Sequence, residues 1–552
     1  MKLKVYIENI KETREYESDI LLSDVLKDVE DCLPYPVYMA KLDNAYRALT
    51  HQLTHDCNLE FLDLRNNEAW LVYQNSLVLV FIKAVHDLFG KDVLVNVRNS
   101  LNKGLFITLT HHTLTEEDVA ALTAKMNELI AADIPIVKEH ATKDQAYNIA
   151  KKGRQEETMN LIDSVTNIDD IEIYSLDDET EIFYNLMVPS TGYVRLFEIN
   201  LYRSGLILSF PHPGNPDKLV EYQEQDMLYA AFSESARWGR LMNVNFVSDL
   251  NEKILYDNID DIILMQEALH EKKISDISDM ICERKARLVL ICGPSSSGKI
   301  TFAKRLCIQL GVNGKKTLYM GTDDYYKELS ERVYDENGKP DLESIKAIDT
   351  KLFVEHINAL LEGKEVDLPH YDFSIPGKVY GKRITKLDKD TIIVIEGIHA
   401  MNALLTEGID DAMKFKIYIS PFTPISIDHH NRVSTTDARM LRRIVRDYKF
   451  RSSEAQRTID MWPDVRKSED VNIFPYNSEA DVFFNSNCIY ELAVLKKYAE
   501  PLLKRIKRDE PEYAEARRML NFLKYFDSIY DDSMIPNNSI MREFIGGSVL
   551  LK

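Results

Sequence analysis

Apolar and polar positions follow three successive rhythms along this chain of 552 residues. In the first, KLKVYIENI alternates as a half-buried strand does, and SDILLSDVLKDVEDCL opens on a capping serine and continues at helical spacing. VYMAKLD and NLEFLDL read as later strands, so residues 1–62 predict a ubiquitin-like β-grasp domain. The second rhythm is mixed. WLVYQNSLVLVFIKAVHDLFG predicts a buried helix ending at Gly90, and TEEDVAALTAKMNELIAADIPI an amphipathic helix with acids in its first turn, as the macrodipole favours. VPSTGYVRLFEINLYRSGLILSF predicts paired strands, which makes 63–250 an α+β domain, followed by a Gly- and Pro-free helical connector over 251–285.

The third rhythm begins at Arg287. RLVLICG, TLYMGTDD, TIIVIEG, KFKIYIS and DVFFNS are short, continuously apolar strand candidates separated by helical stretches. That alternation predicts an α/β domain over 286–507, a parallel sheet covered by helices on both faces. A charged helical tail, 508–552, closes the chain.

Composition narrows the class. Hydrophobic residues at 45% and charged residues at 28% are ordinary for a folded protein. No apolar run approaches the ~18 residues a membrane span needs, since Leu77–Ile82 stops at Lys83. The N-terminus alternates where a signal peptide would be apolar, so a cytoplasmic location without a membrane partner is expected. Six scattered cysteines without a C-x-x-C pair argue against a zinc ribbon or a disulfide framework. The net charge of −21 opposes non-specific binding to nucleic acid or anionic membrane. Against it, Arg439 to Arg451 holds six basic residues and one acid, Asp447, which suggests a local anionic ligand.

The sharpest motif is GPSSSGK (Gly293, Pro294, Ser295, Ser296, Ser297, Gly298, Lys299), after a strand and before the helix FAKRLCIQLG. In that context it is a phosphate loop: glycines let backbone N–H groups turn around a β-phosphate while the new helix points its positive end at the same place. Lys299 is expected to bridge the β- and γ-phosphates of ATP. The next position normally supplies a hydroxyl for Mg²⁺ but is Ile300, and Thr301 lies one helical step, ~100°, away. Isoleucine offers no oxygen to an ion that demands octahedral oxygen ligands, so weakened Mg–ATP binding is expected.

Two further carboxylate positions end strands. Asp323 and Asp324 close the second strand candidate, and Glu396 closes IIVIE, at the edge where such sheets bind ligands. Arg439, Arg442, Arg443 and Arg446 fall at i, i+3, i+4 and i+7, one helix face that needs an anion or acidic partners.

With TDDYY, LPHYDF, IEGIHA and DARMLRRIVRD following the loop in order, 286–507 resembles the uridine kinase/phosphoribulokinase family. The resemblance implies phosphorylation of the 5′-hydroxyl of a pyrimidine nucleoside, with ATP and Mg²⁺ as cofactors. It places Asp323 as the catalytic acid, Glu396 with Asp323 at the metal, and Arg439, Arg442 and Arg443 in a lid over the phosphates. It places Asp324, Tyr326, Glu343, Tyr371 and Asp372 around the nucleoside. Residues 1–245 resemble the β-grasp (TGS) and second domains of threonyl-tRNA synthetase, on FLDL…AVHDLFG and TEEDV…MNELIAADIPI. The synthetase's H-x-x-x-H editing pair corresponds here to Asn75 and Leu79, and 188–201 hold no Cys or His, so editing is not expected. Two other readings stay open: a catalytically impaired ATP-sensing or RNA-binding regulator, and a kinase for another small acceptor. RNA contact through the N-terminal half and self-association are open partner readings.

Overall fold

The structure, a computed structural model, describes residues 2–165, 171–256, 259–334, 338, 341, 343–372 and 377–551. In the first module Lys2–Ile7 pairs parallel with Cys57–Asp63 and antiparallel with Glu12–Glu17, within a five-stranded β-grasp sheet. Leu3, Val5 and Ile7 point to the side packed on Val25 and Leu59, the alternation the sequence shows. The helix is shorter than its pattern suggests, Leu22–Lys27, and no side chain caps it. Asp19 takes a left-handed φ of 67°, and the N–H groups of Leu22 and Ser23 donate to the carbonyls of His51 and Leu49. A returning loop therefore satisfies the helix start where a capping serine was expected.

The second region is built on the helix Asn67–Phe89, capped by the Asn66 side chain and ended at Gly90, whose φ is 94°. By length and composition this helix could cross a membrane. Here it is a core helix, buried against the sheet of strands Val95–Leu101, Gly104–Leu109, Glu198–Tyr202 and Gly205–Ser209 and against the helix Glu116–Ala131. Lys83, which interrupts its apolar run, is 5% exposed and pairs with Asp87 and Asp178.

The third region has five parallel strands in the order Thr317–Gly321, Ile392–Glu396, Leu288–Cys292, Lys414–Ser420, Val482–Asn485. Strand alternation assigns its two faces. Val289 and Ile291 pack with Phe302 and Leu306 of the helix Lys299–Val312, whereas Leu288 and Leu290 pack with Phe353 and Ile357 of the helix Thr350–Leu361. The α/β expectation, a parallel sheet with helices on both faces, holds.

Helices flanking this domain belong to its cores. Ala231 of Asp226–Met242 joins Leu288 and Leu290, and Trp238, Val247, Ile274 and Ile281 join Phe302 and Leu306. The helices Asp226–Met242, Val247–Leu255 and Ile259–Arg284 thus form a layer on the parallel sheet, although periodicity alone divides them between a preceding domain and a connector. The tail is equally embedded, with Met519, Phe526, Ile540 and Phe544 in the same core.

Candidate active site

The loop Gly293–Gly298 leaves the central strand and turns through two left-handed residues, Ser296 (φ 60°) and Gly298 (φ 83°). Such turns aim successive N–H groups into one concavity, an anion nest. Gly298 is required twice over, since a Cβ there would also lie 2.6 Å from Ile540 Cγ2. The Ser296 and Ser297 hydroxyls are buried without a hydrogen-bond partner, as a cradle shaped for a polar ligand leaves them. Lys299 folds back on the loop, donating to the carbonyls of Gly293 (3.0 Å) and Pro294 (3.1 Å).

The paired acids Asp323 and Asp324 have separate duties. Asp324 accepts from Arg383 (2.6 Å), the backbone N–H of Tyr371 (3.3 Å) and His370 Nδ1 (2.9 Å). It is fastened as a strut between the strand tip and the hairpin His370–Asp372 / Gly377–Val379. Asp323 instead is exposed at the strand tip. Surrounding protein raises its carboxyl above the ordinary value, against the pull of Lys299 and Arg451. Glu396, 7% exposed at the tip of the adjacent strand, accepts from the Tyr319 hydroxyl at 3.1 Å. Burial, then the charge of Asp323, lifts its carboxyl to about 7, with Lys299 opposing.

Asp323 and Glu396 fit a divalent cation as hard oxygen donors of matching charge. Ile300, 36% exposed, adds no oxygen. Thr301 is fully buried and gives its hydroxyl elsewhere, so it does not substitute.

The helix Thr435–Arg451 turns its arginines inward, and acids satisfy them. Arg439, 1% exposed, makes a bidentate pair with Glu469 and donates to the Ser295 carbonyl at 3.1 Å. Arg442, fully buried, pairs with Glu491 and donates to the Ser296 carbonyl at 3.3 Å. Arg443 donates to Ser295 Oγ at 3.0 Å and pairs with Asp447. Glu469 also accepts from the Ser295 N–H at 3.2 Å. Burial would raise its carboxyl, but Arg439 and Arg466 hold it below the ordinary value. This corrects the expected lid: the helix is a buttress for the phosphate loop, holding the Ser295 and Ser296 carbonyls through Arg439 and Arg442.

On the acceptor side Tyr326 and Tyr371 are buried, edge to face at 5.6 Å. Asp372 follows Tyr371 on the same short hairpin strand, and Phe373 of LPHYDF lies outside the described residues. Glu343 is half-buried, its carboxyl raised by burial, with Arg443 opposing and Glu469 and Asp323 adding. Lys299, Asp323, Glu343 and Glu396 therefore share one electrostatic neighbourhood.

One participant was not visible as such in the sequence. Glu543, 242 residues beyond Thr301 and read from the sequence only as part of the tail, is 7% exposed, and its Oε2 accepts from the Thr301 N–H (3.2 Å) and hydroxyl (2.7 Å). A carboxylate thus occupies one of the N–H groups that the phosphate-loop helix would offer to a phosphate. Ser539 anchors the segment on Glu267, and Lys304 binds the Leu550 carbonyl at 2.6 Å. Glu267, His270 and Cys488 converge there in a buried group that could suggest a metal, but the Arg305 guanidinium lies 3.6 Å from Glu267, a poor neighbour for a cation.

A parallel sheet whose central strand opens into a phosphate loop, with carboxylates at the adjoining strand tips, defines a P-loop phosphotransferase scaffold. Residues 288–492 match the Phosphoribulokinase / Uridine kinase family. The uridine kinase of Clostridium perfringens (strain 13 / Type A) is 30% identical over 179 residues, 32% of this chain and 76% of that protein. That of Ligilactobacillus salivarius (strain UCC118) is 28% identical over 180 residues, 33% of this chain and 75% of that protein. The chain belongs to this family. Its N-terminal region is similar to a threonine--tRNA ligase of Syntrophomonas wolfei, 27% identical over 187 residues, 34% of this chain and 29% of the ligase.

Proposed function

We propose that this protein transfers the γ-phosphoryl group of ATP to the 5′-hydroxyl of a pyrimidine nucleoside, uridine or cytidine. The observation that carries the reading is the division of labour at the strand tip. Arg383, His370 and the Tyr371 N–H engage Asp324, while Asp323 is exposed and lies within the field of Lys299. Asp323 orients the attacking hydroxyl and accepts its proton as the new P–O bond forms and the bond to the β-phosphate oxygen breaks. Its raised carboxyl suits a proton acceptor. Lys299 and the loop N–H groups take up the charge of the phosphoryl oxygens, the main demand of a loose phosphoryl-transfer transition state. Mg²⁺, held by Asp323 and Glu396, would neutralise the β- and γ-oxygens.

For the acceptor, the Tyr326–Tyr371 pair offers aromatic surface for a base. Glu343 offers two acceptor oxygens for a ribose diol. A panel of uridine, cytidine, purine nucleosides, ribulose phosphate and pantothenate with Mg–ATP tests the assignment. Turnover confined to the pyrimidine nucleosides supports it, and turnover of a non-nucleoside alone replaces it.

A second reading has its own observations, Ile300 at the metal position and Glu543 on the Thr301 N–H. It makes the protein a nucleotide-responsive regulator in which ATP displaces the C-terminal segment without being turned over. Tight ATP binding with no transfer to any member of the panel would favour it.

A further inference from the structure

A concavity unrelated to the phosphate loop lies where the three regions meet. It has a volume of about 690 Å³ and none of Lys299, Asp323 or Glu396 lines it. This size lies within the roughly 300–1,000 Å³ of small-molecule sites. Its walls come from the β-grasp domain near Arg47, from the helix Asn67–Phe89, from the loop before the arginine helix, and from the tail helix Tyr513–Leu523. Neither half of the chain forms it alone.

Its charge is unbalanced. Arg518 is neutralised by Glu68, Asp437 and Glu515, and Lys138 by Glu172. Arg47, Arg432, Arg508 and Arg517 also line the cavity, and among the described residues none of them has a carboxylate partner. Arg432 Nε is buried and lacks any hydrogen-bond partner. Arg47 donates only to its neighbour's carbonyl, Tyr46 O at 2.8 Å, while the like charge of Arg508 lies close by. In a chain of net charge −21, with 89 acidic residues available, four guanidiniums without an ion-pair partner around one cavity, two of them half-buried, suit an anion.

The cavity floor supplies a second, independent sign. Gln74 and Asn75, 7% and 8% exposed, line it, and Gln74 Oε1 and Asn75 Nδ2 have no partner. Buried amide atoms are seldom left unsatisfied. The pair presents one acceptor and one donor, suited to a neutral head group with the complementary pair.

We infer that this cavity is a binding site for a small phosphate ester of nucleotide size, its phosphates held by Arg47, Arg432, Arg508 and Arg517 and its head group read by Gln74 and Asn75. Guanidinium forks match phosphate oxygens in geometry as well as charge. Because the walls include the tail helix that precedes Glu543, the ligand would join the two halves of the protein.

The test uses full-length protein carrying Lys299→Ala, which weakens phosphate binding at the loop, titrated calorimetrically with pyrophosphate and with UTP. One-to-one binding of UTP, weakened tenfold or more by adding the exposed Arg517→Gln or by Arg432→Gln, is the expected result. Binding of UTP tighter than pyrophosphate, with the difference removed by Gln74→Leu, supports the head-group assignment. Absence of binding in Lys299→Ala, or binding indifferent to Arg517→Gln with the fold intact by circular dichroism, overturns the proposal. A tRNA gel shift abolished by Arg517→Gln, with no small anion bound, overturns it in favour of RNA.

Discussion

Two core helices of this protein stand in contrast. Asn67–Phe89 and Lys299–Val312 are both packed under sheets in family-like folds. Where the synthetase resemblance anticipates metal ligands, the first carries Asn75 and Leu79, 8% and 0% exposed. The second begins with Lys299 in an anion nest whose buried serine hydroxyls are unsatisfied. Burial keeps a fold whatever happens to its chemistry, because packing depends on volume and polarity pattern. A site needs particular atoms, and one residue can remove them. The comparison also runs within the second helix, where Ile300 departs from the pattern while its neighbours keep it.

The comparison is broken most directly by a pair of substitutions. Asp323→Asn is expected to lower kcat by about 10²–10⁴-fold, the usual yield of a positioned acid or base, with metal-free ATP affinity unchanged in a nucleotide titration. Leu79→Ala is expected to cost roughly 2–5 kcal/mol in denaturant unfolding while kcat/KM of the remaining folded enzyme stays as it was. Unchanged turnover in Asp323→Asn would return the role to Asp324 or remove the enzymatic reading.

Ile300→Thr restores an oxygen at the metal position. A gain of about tenfold in kcat/KM at limiting Mg²⁺ is expected, on the scale of damaged metal sites, and steady-state kinetics across Mg²⁺ concentrations checks it. No gain would mean that Asp323 and Glu396 suffice.

Glu543→Gln weakens the internal competitor by removing its charge while retaining its shape. ATP is expected to bind a few-fold tighter, as loss of a charge-assisted bond at a helix N-terminus predicts. A fluorescent-nucleotide titration reads the change, and weaker binding would instead make Glu543 part of the ligand set.

The smallest effect concerns pH. Glu396 is raised from 4.5 to about 7, so the folded protein holds one more proton than the unfolded chain between those values. Stability in the absence of metal therefore falls as pH rises through that window. Mg²⁺ needs the ionised carboxylate, so metal binding should strengthen by up to about tenfold from pH 6 to pH 8 and release a proton below 7. Calorimetry in two buffers of different ionisation enthalpy measures that release, and a pH-independent affinity would place the metal elsewhere.

Local patterns made most of the scaffold legible. Strand alternation in KLKVYI, the continuous apolar runs around Leu288 and Ile392, the helix closed by Gly90 and the strand–loop–helix order around Gly293–Lys299 all read correctly, because each is governed by neighbours within a few residues. The tip acids were legible as a pair but not as a division of labour. Arg383 and His370, which engage Asp324, lie 59 and 46 residues away. The arginine face was legible as a charge problem with two solutions, and only packing showed Glu469 and Glu491 to be the counter-charges.

By itself, then, the sequence determined the order of domains, the parallel sheet and the presence of a phosphate loop lacking a hydroxyl at position 300. Those are properties of periodicity and adjacency, which a chain carries before it folds. Tertiary structure alone decided that the helices Asp226–Met242, Val247–Leu255 and Ile259–Arg284 join the parallel sheet, that the arginines brace the loop, that Glu543 sits on the Thr301 N–H, and that four arginines from distant segments surround one cavity. Each of these is a contact between segments far apart in the chain, set by how buried charges and helix ends find partners, and no local pattern encodes it.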